Sequence, residues 1–210
     1  GGAAVNRAVA ADFLTALEGA REDELLEGGV FRDQVLEGLE GSGMDFKGCT
    51  FEKCLFQRCD FTRAAFYACR FTACDFSGCR LERSYFQACT LTGCKGDGCD
   101  LRFARWKGCT VTDSPFRYAN FSGGVFQHTT ISASNWSGAV LTELRLKGLR
   151  LQGVDLTGAD LFRTSLKGMD LTGCTIDGIT LSETCAELKG AILDAAQTPV
   201  VARILGITVR

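Results

Sequence analysis

The sequence predicts an all-β solenoid wound from a five-residue unit, and three observations carry that expectation. In steps of five from Phe46 to Leu181, 27 of 28 positions bear a large apolar side chain, Gly96 being the exception. Two residues before each runs a second lattice of mostly small side chains, from Met44, Cys49, Cys54 and Cys59 through Ala104, Cys109 and Gly124. The phase never shifts between residues 44 and 184, so no inserted loop interrupts it. A helix of period 3.6 or a strand of period 2 does not generate this pattern. A short fixed period marks a repeat architecture.

The elements follow in chain order. Residues 1–23 are expected to form a helical cap, because Val5, Val9, Phe13, Leu14 and Leu17 suggest a short amphipathic helix over 4–19. The solenoid is placed at 24–184 and is regular from 44. Leu26, Phe31 and Leu36 already keep its phase, while Gly41 breaks it, which suggests an irregular first coil. The large lattice is aromatic-rich in its first half and leucine-rich in its second, and Leu144 and Leu149 enter the small lattice. Residues 185–210 are expected to form a capping helix and a strand. Thr198-Pro199 supplies an N-cap with proline first in the helix. Val200, Val201, Ile204 and Leu205 give an apolar face, Gly206 a stop, and Ile207-Thr208-Val209 reads as β.

Composition narrows the function classes. With 210 residues, a net charge of −2 and 46% apolar residues, the chain has a sizeable core and is neither disordered nor globally basic. It contains no apolar run of about 18 residues, so no membrane partner is expected. The N-terminal segment lacks the layout of a secretory signal, which points to a cytoplasmic protein. The single histidine, His128, sits at an outward position. No phosphate loop, catalytic triad or metal-ligand cluster is present in the sequence, so neither an enzyme nor a cofactor is expected. Gly96 empties a large-residue position, which reads as a local bulge or cavity.

Eleven of the twelve cysteines occupy the small lattice; only Cys185 does not. Taken every 20 residues they form columns, such as Cys49, Cys69, Cys89 and Cys109. A disulfide needs a near-perpendicular torsion that side chains stacked in parallel register fit badly. Zinc needs four converging ligands, and columns run in lines. Buried small hydrophobes are the reading that suits the slot.

Segments such as Ala159-Asp160-Leu161-Phe162-Arg163 and Cys59-Asp60-Phe61-Thr62-Arg63 resemble the A(D/N)LXX unit of the pentapeptide-repeat family. The resemblance implies a right-handed quadrilateral parallel β-helix, with one pentamer per side and four per coil. Seven coils at the spacing of parallel strands give a rod of roughly 34 Å. The C-terminal tail resembles that of the fluoroquinolone-resistance branch of the family. There such a helix makes a head-to-head homodimer, which here would use Val200, Val201, Ile204, Leu205, Ile207 and Val209. The partner implied is a type II DNA topoisomerase, gyrase, which the branch engages as an acidic mimic of duplex DNA and protects from quinolones or natural poisons.

The charge pattern departs from a uniformly acidic rod. Residues 1–43 carry nine acids and three bases, whereas 44–184 carry 14 acids and 17 bases. The side centred on Phe46, Phe66 and Phe86 bears Lys47, Arg105, Lys107, Arg145, Lys147 and Lys167 against Asp45 alone. The carboxylates Asp60, Asp75, Asp97, Asp100, Asp155 and Asp160 are spread over other sides. Both groups are candidate partner contacts. Direct nucleic-acid binding is not expected, and an interaction scaffold using the basic side is the competing expectation.

Overall fold

A computed structural model of the chain describes residues 12–210, so Val5 and Val9 of the expected N-terminal helix lie outside the described residues. The chain winds as a right-handed, four-sided parallel β-helix. The sides are named A to D in chain order, centred on Phe46, Phe51, Phe56 and Phe61. Residues 20 apart pair directly, as in Phe46↔Phe66 and Phe51↔Phe71. A and B are seven-stranded parallel sheets of three-residue strands. C has one strand pair, Val35–Glu37 with Leu55–Gln57, and otherwise single bridges such as Asp75↔Lys95; D has bridges only, such as Asp60↔Arg80. The sequence period alone does not separate these two kinds of side.

Inside, the large lattice forms columns of rings. Phe46–Phe66, Phe51–Phe71 and Phe56–Phe76 stack with centroids 5.0, 5.0 and 4.9 Å apart, close to the rise of one coil. Pairing starts earlier than the sequence suggests, since Leu26↔Phe46, Phe31↔Phe51 and Leu36↔Phe56 are in full register. The first coil is therefore regular on three sides. The breaks at Gly41 and Gly96 are not bulges, and at Gly96 only a small apolar void of about 10 Å³ remains, between Phe76, Leu91 and Phe116. A Cβ on Gly41 would lie 2.7 Å from the Phe61 ring, and one on Gly96 would lie 2.2 Å from that of Phe116. Each glycine is a hole filled by the ring of the next coil.

The small lattice has a chemical task besides fitting. Where a side ends in a tight turn, the small residue's N–H bonds the carbonyl of the preceding large residue, as in Ala64 N to Phe61 O (2.9 Å) and Ala104 N to Leu101 O (3.1 Å). Such corners, all those after D up to Gly124, need no polar side chain. After A and B that turn bond is missing as far as Val154, and thiols serve instead in the early coils. In the last coil it appears there too, as Met169 N to Leu166 O (2.9 Å) and Cys174 N to Leu171 O (3.1 Å). The Sγ of Cys69 donates to Phe46 O (3.4 Å), and that of Cys89 to Phe66 O (3.2 Å). Farther along, hydroxyls take over: Ser114 Oγ accepts from Cys94 N (3.0 Å) and donates to Thr112 O (2.9 Å). A buried backbone group left unpaired costs about 1–3 kcal/mol, which gives cysteine, serine and threonine a task at the corners after A and B. The thiols of Cys79 and Cys99 after C donate likewise, to Phe56 O (3.1 Å) and Phe76 O (2.8 Å), beside an intact turn bond. The cysteines are free, all but the half-buried Cys185 are buried, and burial pushes the Cys99 thiol up to about 12.

Both ends are capped. Helix α1 (Phe13–Ala20) starts at Asp12, whose carboxylate accepts from Leu14 N and Thr15 N. It seats Phe13 5.0 Å from Phe31 and 5.1 Å from Phe51, closing the shaft; Leu14 is exposed, not part of the packed face. At the other end, Glu187 is 4% exposed and its carboxylate accepts from Arg163 N, Ser182 N and Ser182 Oγ. Burial pushes that carboxyl up, but the donated hydrogen bonds outweigh it and hold it below the usual range. Gln197 Nε2 donates to Leu171 O (2.7 Å) and Cys174 O (2.8 Å). Helix α2 (Thr198–Ile204) follows. Thr198 does not cap it: its hydroxyl donates to Ala195 O (2.7 Å), and the capping box belongs to Asp194 and Gln197 one turn earlier. Gly206, at φ +79°, ends the helix as expected. The expected strand at Ile207-Thr208-Val209 is absent; those residues are exposed coil, with no neighbouring strand edge to pair with.

The ladder opens once. On C and D the coils stay joined past residue 152, by Leu156 N to Thr175 O (2.8 Å) and Leu161 N to Thr180 O (2.9 Å). On A and B the segment 145–153 makes no backbone hydrogen bond to 165–172 among the described residues. The cause lies at the corners. Leu144 and Leu149 fill slots held by Gly124 and Thr129 one coil earlier, and overfilling a packed slot forces backbone apart, while the facing coil changes to tight turns at Met169 and Cys174 and so follows a different path. Leu144 N turns instead to Thr164 Oγ1 (3.0 Å). Leu146, Leu149 and Leu151 are left half-buried.

Candidate interaction surface

Among the described residues, no group of three or more His, Cys, Asp or Glu side chains is arranged to hold a metal ion, and no helix is long and apolar enough to cross a membrane. His128 sits at a corner with φ +46°, its ring packed over Gly148. Phe103 and Tyr118 lie over Gly123 and Gly138 in the same way. The histidine is thus one of three corner rings using the bare backbone of the next coil.

Side A holds the predicted bases: pairing sets Lys47, Arg105, Lys107, Arg145 and Lys147 on one outward sheet face, and Lys167 lies beyond its last strand. Lys47, Arg105, Lys107, Arg145, Lys147 and Lys167 are all exposed. Glu27, on the first coil, joins the same sheet opposite Lys47 and adds an acid that the sequence reading left out. Two tyrosines, also missed, organise the row. Lys47 Nζ lies 5.7 Å from the Tyr67 ring centroid and the Arg105 guanidinium 5.5 Å from that of Tyr85, with the two rings 5.7 Å apart edge to face. Burial, then Asp45 and Tyr85, push the Tyr67 phenol up. Tyrosines 20 residues from lysine or arginine, in one column, were the available signal. Val125 and Gln127 separate this cluster from Arg145, Lys147 and Lys167.

The predicted carboxylates fall on two other sides, Asp75, Asp97 and Asp155 on C and Asp60, Asp100 and Asp160 on D. Most are engaged locally. Asp60, Asp75, Asp155 and Asp160 each accept from the N–H two residues on, at 2.8–3.0 Å, fixing their own turns. Asp100 takes a two-pronged hydrogen bond from Arg102 (2.9 and 2.8 Å), and Asp97 binds Arg117 (2.8 Å). Arg102 holds the Asp100 carboxyl below its ordinary range. Asp60, Arg80, Glu82, Asp100 and Arg102 line a shallow groove of about 710 Å³ on side D with mixed charge.

At the C-terminal end, Val200 and Ile204 pack half-buried against the core, and Val201 is half-buried. Leu205, Ile207 and Val209 are exposed at 56, 55 and 46%. The end of the rod is thus an apolar surface.

Comparison with known proteins agrees with this architecture. A family model described as a pentapeptide repeat region matches residues 49–120, and one for pentapeptide repeats (8 copies) matches 125–158 and 139–178. Among solved structures, a trypsin-treated variant of QnrB1, a plasmid-mediated fluoroquinolone resistance protein, is 23% identical, with 89% of this chain and 97% of that one covered and a TM-score of 0.58. HetL, a pentapeptide repeat protein involved in heterocyst differentiation regulation from the cyanobacterium Nostoc sp. Strain PCC 7120, is 20% identical over 80% of this chain and 89% of its own, with a TM-score of 0.37. A search of the curated proteins gave no match. From the five-residue lattice, the four-sided coil and the two family models, which together span more than half of it, the chain belongs to the pentapeptide-repeat family.

Proposed function

We propose that the chain is a non-enzymatic rod that binds a type II DNA topoisomerase (gyrase) as a partial DNA mimic, protecting it from quinolones or natural poisons. The observation that carries this reading is the segregation of charge around the shaft. Bases line side A almost alone, while C and D carry carboxylates, many fixed by their own turns, among Lys95, Arg117, Arg80 and Arg102. Duplex DNA presents one charge per about 1.7 Å of axis, or about 20 over a rod of this length. The six candidate aspartates reach under a third of that, so mimicry is confined to two sides. The fold shared with QnrB1, itself a fluoroquinolone resistance protein, supports the choice of partner. In this reading the exposed Leu205, Ile207 and Val209 join two copies end to end in the cytoplasm. A gyrase supercoiling assay with and without a quinolone tests it. Added protein is expected to restore activity in the drug's presence; no effect on activity or rescue overturns it.

A second reading is favoured by the tyrosine-organised bases of side A, which suit an acidic partner surface. Here the rod is a scaffold for an unidentified protein. Reversing Arg105, Lys107, Arg145 and Lys147 to glutamate is expected to abolish partner capture while leaving gyrase rescue intact. Unchanged capture rules this reading out.

A further inference from the structure

The geometry points to the open seam between residues 145–153 and 165–172 as a docking slot for an extended, acidic peptide of a partner protein, which enters as an additional rung of sheets A and B. It stands apart from the topoisomerase reading: a chain without effect on gyrase leaves it intact.

The argument begins with unpaired backbone. One coil earlier, Phe126↔Leu146 and Ile131↔Leu151 pair fully, with His128 N to Lys147 O at 2.8 Å and Ala133 N to Gln152 O at 2.8 Å. At the seam the corresponding donors, the N–H groups of Leu146, Gly148, Leu151 and Gly153, make no hydrogen bond among the described residues. On the facing edge the N–H groups of Ser165 and Asp170 are likewise unpaired. The other face of that upper edge is occupied, since Leu171 N bonds Ile192 O (2.9 Å) and Gly168 N bonds Gly190 O (2.9 Å). The unpaired edges of the last strands of sheets A and B therefore face the turn-forming segment 165–172 across a seam hinged on C and D, with Cys174 Sγ 3.9 Å from Leu151 O at its end. Adding a strand to an unpaired edge is a common mode of peptide recognition, with affinity from the main chain and specificity from alternate side chains.

Size and chemistry narrow the occupant. The cleft on side B, lined by Gly148 to Gly153 with Gly168, Asp170 and Thr172, measures about 590 Å³. A strand residue fills about 3.3 by 4.8 by 10 Å, so about four residues fit there. Inward side chains of such a strand would meet the half-buried Leu146, Leu149 and Leu151, so alternate residues are apolar. Outward ones would lie among Arg145, Lys147 and Arg150 below and Lys167 above, all exposed. The one carboxylate at the seam, Asp170, is taken by Thr172 N and Thr172 Oγ1 (2.9 and 2.7 Å). Charge complementarity therefore selects acidic outward residues over basic ones.

The test uses the full chain and a fluorescein-labelled octapeptide alternating glutamate and valine. Its counterparts alternate lysine and valine, or carry N-methyl groups on every second amide. Fluorescence polarisation is expected to show binding of the first and at least about tenfold weaker binding of the other two, a difference of about 1.4 kcal/mol. Lys147→Glu with Arg150→Glu should weaken the acidic peptide by a similar factor. Leu144→Ala with Leu149→Thr, restoring the small lattice, should close the seam and abolish binding. Should that variant not fold, the charge pair decides. Hydrogen exchange at the six unpaired amides should be fast in the free chain and slow with the acidic peptide. Equal binding of all three peptides overturns the proposal, as does protection of those amides in the free chain. Protection that grows with protein concentration would assign the seam to a second copy and likewise overturn it.

Discussion

The coils before residue 140 and those around the seam obey the same five-residue period yet pack differently. In the first region, rings stack at the coil spacing, thiols or hydroxyls fill the small slots after A and B, and every pair of coils is laddered on both sheets. In the second, Leu146, Leu151 and Leu166 replace the rings, Leu144 and Leu149 enlarge the small slots, and two sheets part. The period fixes which residues point inward. Whether neighbouring coils touch depends on the smaller lattice and on the turns: Met44 is tolerated beside paired strands, whereas Leu144 and Leu149 together face a coil that turns tightly after A and B.

That contrast can be attacked from the tight side first. Phe13→Ala removes a fully buried ring that contacts Phe31, Phe46 and Phe51. It should cost about 4 kcal/mol in denaturant unfolding and fray the first coil. Ala64→Leu, a fully buried small slot, should cost about 3 kcal/mol and raise amide exchange on side A between residues 45–47 and 65–67, reproducing the seam in the first half. Unchanged exchange there would mean that slot size does not govern coil contact.

Glu187→Gln should cost about 2 kcal/mol at neutral pH. Because the folded carboxyl is held below its usual value, the carboxylate's contribution is fully present above the unfolded value of about 4.3. It is lost as pH falls through the lowered folded value. Wild type and variant should therefore converge in acid. The smallest effect is expected for Ala73→Gly. Ala73 holds φ +52°, a region costing a side chain about 1 kcal/mol. Offset by the extra freedom of an unfolded glycine, the change should stabilise by about 0.5 kcal/mol in thermal melts.

Much of this was legible in the sequence because the repeat is its own alignment. Both lattices, the cysteine columns and the basic row on side A come from residue numbers modulo 20. One contributor to the seam was also visible, as Leu144 and Leu149 in small slots, but the change of turn in the facing coil was not. Period alone does not report how far a coil is pushed. The caps resisted reading for another reason. Glu187 and Gln197 satisfy backbone groups about 23–26 residues away, contacts that belong to no repeat. The tail was misread because a β-prone triplet needs an edge to pair with, and none is offered at Ile207.

A solenoid of near-identical rungs carries a hazard: a coil that slips along the shaft by one turn finds almost the same surroundings. Gly41 with Phe61 and Gly96 with Phe116 remove that degeneracy. Each ring has one vacancy that admits it, and a slipped coil sets ring against ring at one place and leaves a void at another. The two glycines that spoil the pattern thus work as keyways, recording in an otherwise translationally symmetric chain which turn is which.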